Sequence, residues 1–123
     1  GKEDIDWILD KKINASMISN AAAIPEMTYN ITKERMTDFI AFVDRARQNH
    51  TDVQLVLGPF YPAFRDKIIN LDEFISIVQK ETGLKVHNYA GFIEEDRYFS
   101  DYMHLNKKGS IIFMNKLKSD GVL

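Results

Sequence analysis

The stretch Val53-Gln54-Leu55-Val56-Leu57-Gly58-Pro59 decides how the rest of the chain reads. It is short and apolar everywhere but at Gln54, the pattern of a strand buried on both faces, as in parallel sheets. Gly58-Pro59 ends it, because proline cannot donate to a ladder, and Pro62 keeps the next loop out of regular structure. Downstream, Asn70-Leu71-Asp72-Glu73 has the spacing of a capping box with Asn as the cap. The helix it opens runs over 71–82 and is expected to bury Phe74, Ile77, Val78 and Leu71. Gly83 suits a left-handed cap at its end. Residues 84–89 then read as a second strand, so 53–89 forms one strand–helix–strand crossover unit with parallel strands.

Working outward, residues 32–48 carry the apolar stripe Met36, Phe39, Ile40 and Val43, widened by Phe42 and Ala46, with charged residues on the other faces. Residues 4–18 read as a further helix capped by Asp4, with Ile5, Ile8, Leu9 and Ile13 at helical spacing and Trp7 beside them. Between them, 19–30 is irregular, and Pro25 biases Ile24 toward an extended form. At the other end, 90–103 is a loop rich in acids and aromatics. A last helix over 106–119 presents Ile112, Phe113, Lys116 and Leu117. Helices alternating with strands imply α/β architecture. Two strands are few for a sheet covered by helices on both faces, so the sheet is expected to be truncated, its remaining strands supplied elsewhere in a longer chain or by a partner copy. Gly1 ahead of Lys2 reads as a tag-cleavage remnant, in keeping with that expectation. Residues 1–123 are accordingly read as the C-terminal portion of one domain.

Composition narrows the classes. The 123 residues are 45% hydrophobic and 28% charged, enough apolar surface to offset the entropy of ordering. Lys+Arg 16 against Asp+Glu 18 gives a net charge of -2, which recommends neither nucleic acid nor an anionic membrane as a bulk partner. Lys107-Lys108 is too short to count as a binding stripe and reads as part of a solvated helix face. There are no cysteines, which excludes disulfides, thiolate nucleophiles and cysteine zinc sites in this stretch. No apolar run approaches the roughly 20 residues that span a bilayer. His50, in a connector, and His87, in a strand, have no partners at metal-ligand spacing, so neither metal nor cofactor is expected.

The chemistry-bearing segment is Phe99-Ser100-Asp101-Tyr102-Met103-His104-Leu105-Asn106-Lys107-Lys108-Gly109. In a turn, Asp101 reaches back to the Nδ1–H of His104, which fixes the tautomer and leaves Nε2 as a base. Leu105 anchors the segment in the core, Asn106 caps the last helix, and Gly109 allows close approach of its first turn. The spacing of Asp and His alone is equally that of a surface loop ending in an Asn-capped helix.

In its surroundings, the segment resembles the C-terminal half of SGNH hydrolases, also called GDSL esterases, and of the related bacterial O-acyltransferases of cell-envelope polysaccharides. The likeness covers residues 32–119. It rests on a helix, a buried strand ending in Gly58-Pro59, a capped helix, a strand, and the Asp101-x-x-His104-Leu105-Asn106-x-x-Gly109 block. It implies a partial three-layer, flavodoxin-like parallel sheet flanked by helices. His104 would act as general base and then acid, and Asp101 as its orienting partner, on an acyl ester or an acylated carbohydrate. The compartment implied is the bacterial cell envelope or periplasm.

The family's nucleophile lies in a Gly-Asp-Ser motif after the first strand, and no such motif occurs here. Ser16, Ser19, Ser76, Ser100 and Ser110 sit in helices or beside the histidine. The family's oxyanion Asn would precede the helix at residue 32, making Asn30 or Asn20 the candidate, although a loop Asn bonding its own backbone explains either. Without a serine no acyl-enzyme forms. Three explanations stand: a longer enzyme whose serine lies upstream of residue 1, a degenerate domain kept for binding or interaction, or an accidental likeness. The first leaves the chain inactive alone.

Phe60, Tyr61 and Phe64 follow a strand's C-terminal end, where open α/β sheets place ligands, and become pocket candidates. Tyr102, with Tyr89, Phe92, Tyr98 and Phe99, either lines a carbohydrate or acyl pocket or packs its loop onto the sheet. Glu94-Glu95-Asp96 reads as a solvated loop. An open sheet edge offers a route to a homodimer.

Overall fold

Two short strands pair in parallel at the centre of the computed structural model, which describes residues 23–123. Strand β1 (Leu55–Leu57) lies against β2 (Val86–Asn88), with Leu55 opposite Val86, Val56 opposite His87 and Leu57 opposite Asn88. Around them lie α1 (Lys33–Gln48), the single turn α2 (Pro62–Arg65), α3 (Leu71–Thr82), a 3-10 turn at Asp96–Tyr98 and α4 (Lys107–Ser119). Among the described residues, four helices and a parallel pair joined through a helix give an α/β architecture. The helix expected over 4–18 lies outside the described residues, as do Asn20, Ser16 and Ser19.

The helices start and stop close to where their caps predict. Thr32 accepts from the Arg35 N–H (3.2 Å) and opens α1, whose buried residues are Met36 and Val43. Gly83 ends α3 in the left-handed conformation, φ 69°. Apolar residues at helical spacing are less buried than their stripes suggest. Phe42 on α1, Ile77 on α3 and Ile112 on α4 all stand exposed, while Val78 and Leu117 carry the packing of the last two helices.

Asn70 corrects the capping-box expectation. Its side chain makes no cap hydrogen bond to α3. Instead, Oδ1 accepts from the Tyr29 N–H (2.7 Å), and Nδ2 donates to the Tyr29 carbonyl (2.8 Å). The amide thereby imitates a strand's backbone and extends a parallel bridge between Met27 and Ile68. A polar group that satisfies two backbone partners at once outcompetes one cap bond.

Both strands are shorter than the segments expected to form them, 53–57 and 84–89. The Val86 N–H donates to Gln79 Oε1 (2.9 Å) and the Leu84 N–H to Thr82 Oγ1 (3.2 Å), so the exit of α3 consumes the donors that a longer ladder needs. The expected two-sided burial of β1 also fails. Leu55 and Leu57 are half-buried, and Val56 on the opposite face is 38% exposed. Among the described residues, β1 has a neighbouring strand on one side only.

The main core lies beyond the strands' C-terminal ends. Phe60, Tyr61, Phe64, Ile68, Ala90, Ile93 and Phe99 form one buried cluster, with Tyr102, Leu105 and Phe113 packed against it. Phe60 meets Phe64 edge-on at 5.7 Å between ring centroids, and Tyr61 meets Phe99 likewise at 5.5 Å. Such pairs add about 0.5–1.5 kcal/mol each beyond the area they bury. Gly58, at φ 81°, lets the chain turn into this cluster, because a Cβ there would overlap the Ala90 backbone.

Candidate functional site

The segment from Phe99 to Gly109 is closed at its base by the core. Phe99 and Leu105 form an antiparallel bridge, and the Ser100 N–H donates to the His104 carbonyl (2.9 Å). Phe99 is only 2% exposed, so the root of the loop is fixed by packing. Within the loop, Asp101 Oδ1 accepts from the Met103 N–H (2.8 Å), a local turn that Asp makes readily. That turn brings His104 back over Asp101. Its Nδ1 lies 2.8 Å from Oδ1 and 2.9 Å from Oδ2.

Asn106 ties this loop to the last helix. Its Oδ1 accepts from the Gly109 N–H (2.9 Å) as the cap of α4, while Nδ2 donates to the Arg97 carbonyl (2.6 Å). Its own N–H donates to the Tyr98 carbonyl (2.9 Å). Gly109 is buried against the same carbonyl, and a Cβ at that position would overlap the Tyr98 oxygen. The 3-10 turn Asp96–Tyr98 is therefore the platform on which the loop and α4 rest. Sequence reading missed that platform; the signal for it was the Asn106-x-x-Gly109 pair, which demands a close backbone neighbour.

The electrostatics favour an ionised Asp101. Partial burial pushes its carboxyl up, but the Met103 N–H, the hydrogen bond with His104 and the charge of His104 outweigh that and hold it below its ordinary value. An ionised carboxylate only accepts, so the proton of a neutral His104 belongs on Nδ1, and Nε2 presents its lone pair outward. Nε2 has no hydrogen-bond partner among the described residues. The pair is open to water: the side chains are 71% exposed at His104 and 52% at Asp101. A pair so exposed contributes little stability.

The other candidates fall elsewhere. Asn30 is exposed, and its Nδ2 donates to Thr28 Oγ1 (3.0 Å), not to any group of the dyad. Phe60 and Tyr61 are core residues rather than walls of an open pocket, because the turn after β1 folds them inward. Burial and then the nearby Asp96 carboxylate push the Tyr61 phenol up to about 12. Tyr102 is half-buried and tilts against Phe64 at 5.0 Å, and its carbonyl accepts from the Tyr61 N–H (3.2 Å). It thus joins the dyad loop to the core.

Ser100 Oγ turns back to the His104 carbonyl (3.3 Å), and Ser76 and Ser110 stand exposed on α3 and α4. None of the three meets His104 Nε2. His87 Nε2 lies 2.9 Å from Gln54 Oε1. No group of three or more acidic or histidine side chains that could hold a metal occurs among the described residues.

Comparison with family models, with curated proteins and with solved structures gives no match to this chain. Among the described residues, no helix is long and apolar enough to cross a membrane.

Proposed function

We propose that Asp101 and His104 are the acid and base of an SGNH-type serine esterase or O-acyltransferase. The observation that carries this is the Asp101 carboxylate meeting His104 Nδ1 through both oxygens while Nε2 stays open. In that arrangement Nε2 takes the proton of an attacking hydroxyl, and Asp101 stabilises the imidazolium that forms. Nε2 then returns the proton to the departing alkoxide. The hydroxyl comes from a serine outside residues 23–123, since none of the serines within them (Ser76, Ser100, Ser110 and Ser119) bonds to His104 Nε2. The substrate class is an acyl ester, with an acylated envelope carbohydrate as the acceptor or donor.

The finer architecture belongs to the same proposal: β1 and β2 as the end of a larger parallel sheet in a three-layer, flavodoxin-like domain. A groove of about 390 Å³ beside β1, lined by Ile31, Phe39, Leu55, Val56, Phe74 and Val78, supports it. That apolar edge takes a further strand from the same domain or, in a homodimer, from a second copy.

A second reading, a non-catalytic binding or interaction module, is favoured by the exposure of both dyad side chains and by the lack, among the described residues, of a serine at Nε2. Hydrolysis of a p-nitrophenyl ester by the gene product that contains this chain separates the two. A burst of product followed by turnover, both abolished in His104→Ala, is the expected result. Turnover unchanged by His104→Ala, or no turnover and no acyl-enzyme, overturns the enzymatic reading.

A further inference from the structure

The outer face of α4 sets exposed aliphatic side chains among lysines. Lys107, Ser110, Ile111, Met114, Asn115 and Lys118 line one shallow depression of about 330 Å³ along the helix. Their spacing of three and four places them on a single face, opposite Gly109, Phe113 and Leu117, which pack inward. Ile111 is 53% exposed and Met114 44%, so two aliphatic side chains stand in water between lysines at either end. The helix Lys107–Ser119 holds four lysines and no acid, within a chain whose net charge is -2. Lys116 is engaged by Asp120 at 3.2 Å, whereas Lys107, Lys108 and Lys118 enter no ion pair among the described residues. Lys107 and Lys108 also occupy the first turn, where the helix dipole disfavours positive charge. Local helix stability therefore does not explain them.

We infer that the Lys107–Ile111–Met114–Lys118 face of α4 docks on an anionic lipid surface, lying in its plane. The side chains choose this occupant. Ile and Met enter the boundary between headgroups and acyl chains, while the long lysine stems let each ammonium rise to the headgroup phosphates. Lysine is a strongly hydrated point charge, suited to a diffuse anionic layer rather than to the bidentate geometry of a phosphopeptide or nucleic-acid site, for which arginine is the better donor. A second copy packing here about a two-fold axis would set lysine against lysine, Lys107 on Lys118 if antiparallel and Lys107 on Lys107 if parallel. This docking stands apart from the dyad's chemistry.

Co-sedimentation of the full chain with vesicles of roughly one-third phosphatidylglycerol in phosphatidylcholine tests the inference. Binding is expected to these vesicles and not to pure phosphatidylcholine, and to vanish at about 0.5 M salt, where the Debye length falls below the thickness of a headgroup layer. Lys107→Gln with Lys118→Gln is expected to weaken it about 30-fold. Ile111→Ser with Met114→Ser is expected to weaken it as well, with the helical circular dichroism of both variants unchanged. Four results overturn it: no binding to the anionic vesicles, equal binding to neutral ones, folded variants that bind like the parent, or a dimer in sedimentation velocity that the serine variant dissolves.

Discussion

The loop at Phe99–Gly109 and the edge of β1 are built on opposite terms. In the loop the side chains of Ser100, Asp101 and Asn106 each find partners close by in the chain. Asp101 bonds Met103 and His104, Asn106 bonds Arg97 and Gly109, and Ser100 bonds His104, all above a Phe99 held at 2% exposure. At β1 the apolar residues come first and their partners are incomplete: Val56 is 38% exposed, and an apolar groove runs alongside. A constellation closed by short-range hydrogen bonds assembles wherever its own segment folds. A parallel strand depends on chain far away in sequence, and it remains half-covered where that chain is not described.

The loop stands or falls with the ring at its base. Phe99→Ala removes the ring that anchors the loop and is expected to cost about 4 kcal/mol in urea denaturation, the range of buried Phe truncations. A loss below about 1 kcal/mol would mean that the loop does not stand on the core. Gly109→Ala forces a methyl into the Tyr98 carbonyl and should cost about 2–3 kcal/mol, in the range of overpacked sites. It should also disturb the His104 resonances through Asn106, and a neutral effect would remove the platform. At the other region, Val56→Ala is expected to cost less than about 1 kcal/mol, because the side chain has so little cover to lose.

Asp101→Asn should change stability by only a few tenths of a kcal/mol, as exposed ion pairs do. Its pH dependence has a definite sign. The folded carboxyl is held below its unfolded value, so its contribution is present above about pH 4 and disappears as pH falls through the lowered folded pKa. The difference between parent and variant, measured by urea midpoints, should therefore close in acid. A difference that persists there would assign it to packing instead.

These two regions also mark what the sequence could disclose. Thr32 and Gly83 act within a few residues of themselves, as does Asn106 in capping α4 at Gly109, and each cap is readable from its neighbours; the approach of Gly109 to Tyr98 is not. The Asp101-x-x-His104 turn is legible for the same reason. Asn70 was misread because its partner, Tyr29, lies 41 residues away, and no local pattern announces a side chain that imitates a strand. Phe60 and Tyr61 looked like pocket walls, since a strand's end says where ligands gather but not which way a loop folds its rings. Strand length failed similarly: Gln79 takes the Val86 donor through a side chain that no periodicity marks.

Under the proposed function, Asp101 holds His104 in the tautomer a general base requires. Long-range nitrogen–proton NMR of the His104 imidazole at neutral pH tests it most directly. The proton of the neutral ring is expected on Nδ1 in the parent chain, and to redistribute toward Nε2 in Asp101→Ala. A ring protonated on Nε2 in the parent, or a tautomer unmoved by Asp101→Ala, would contradict it.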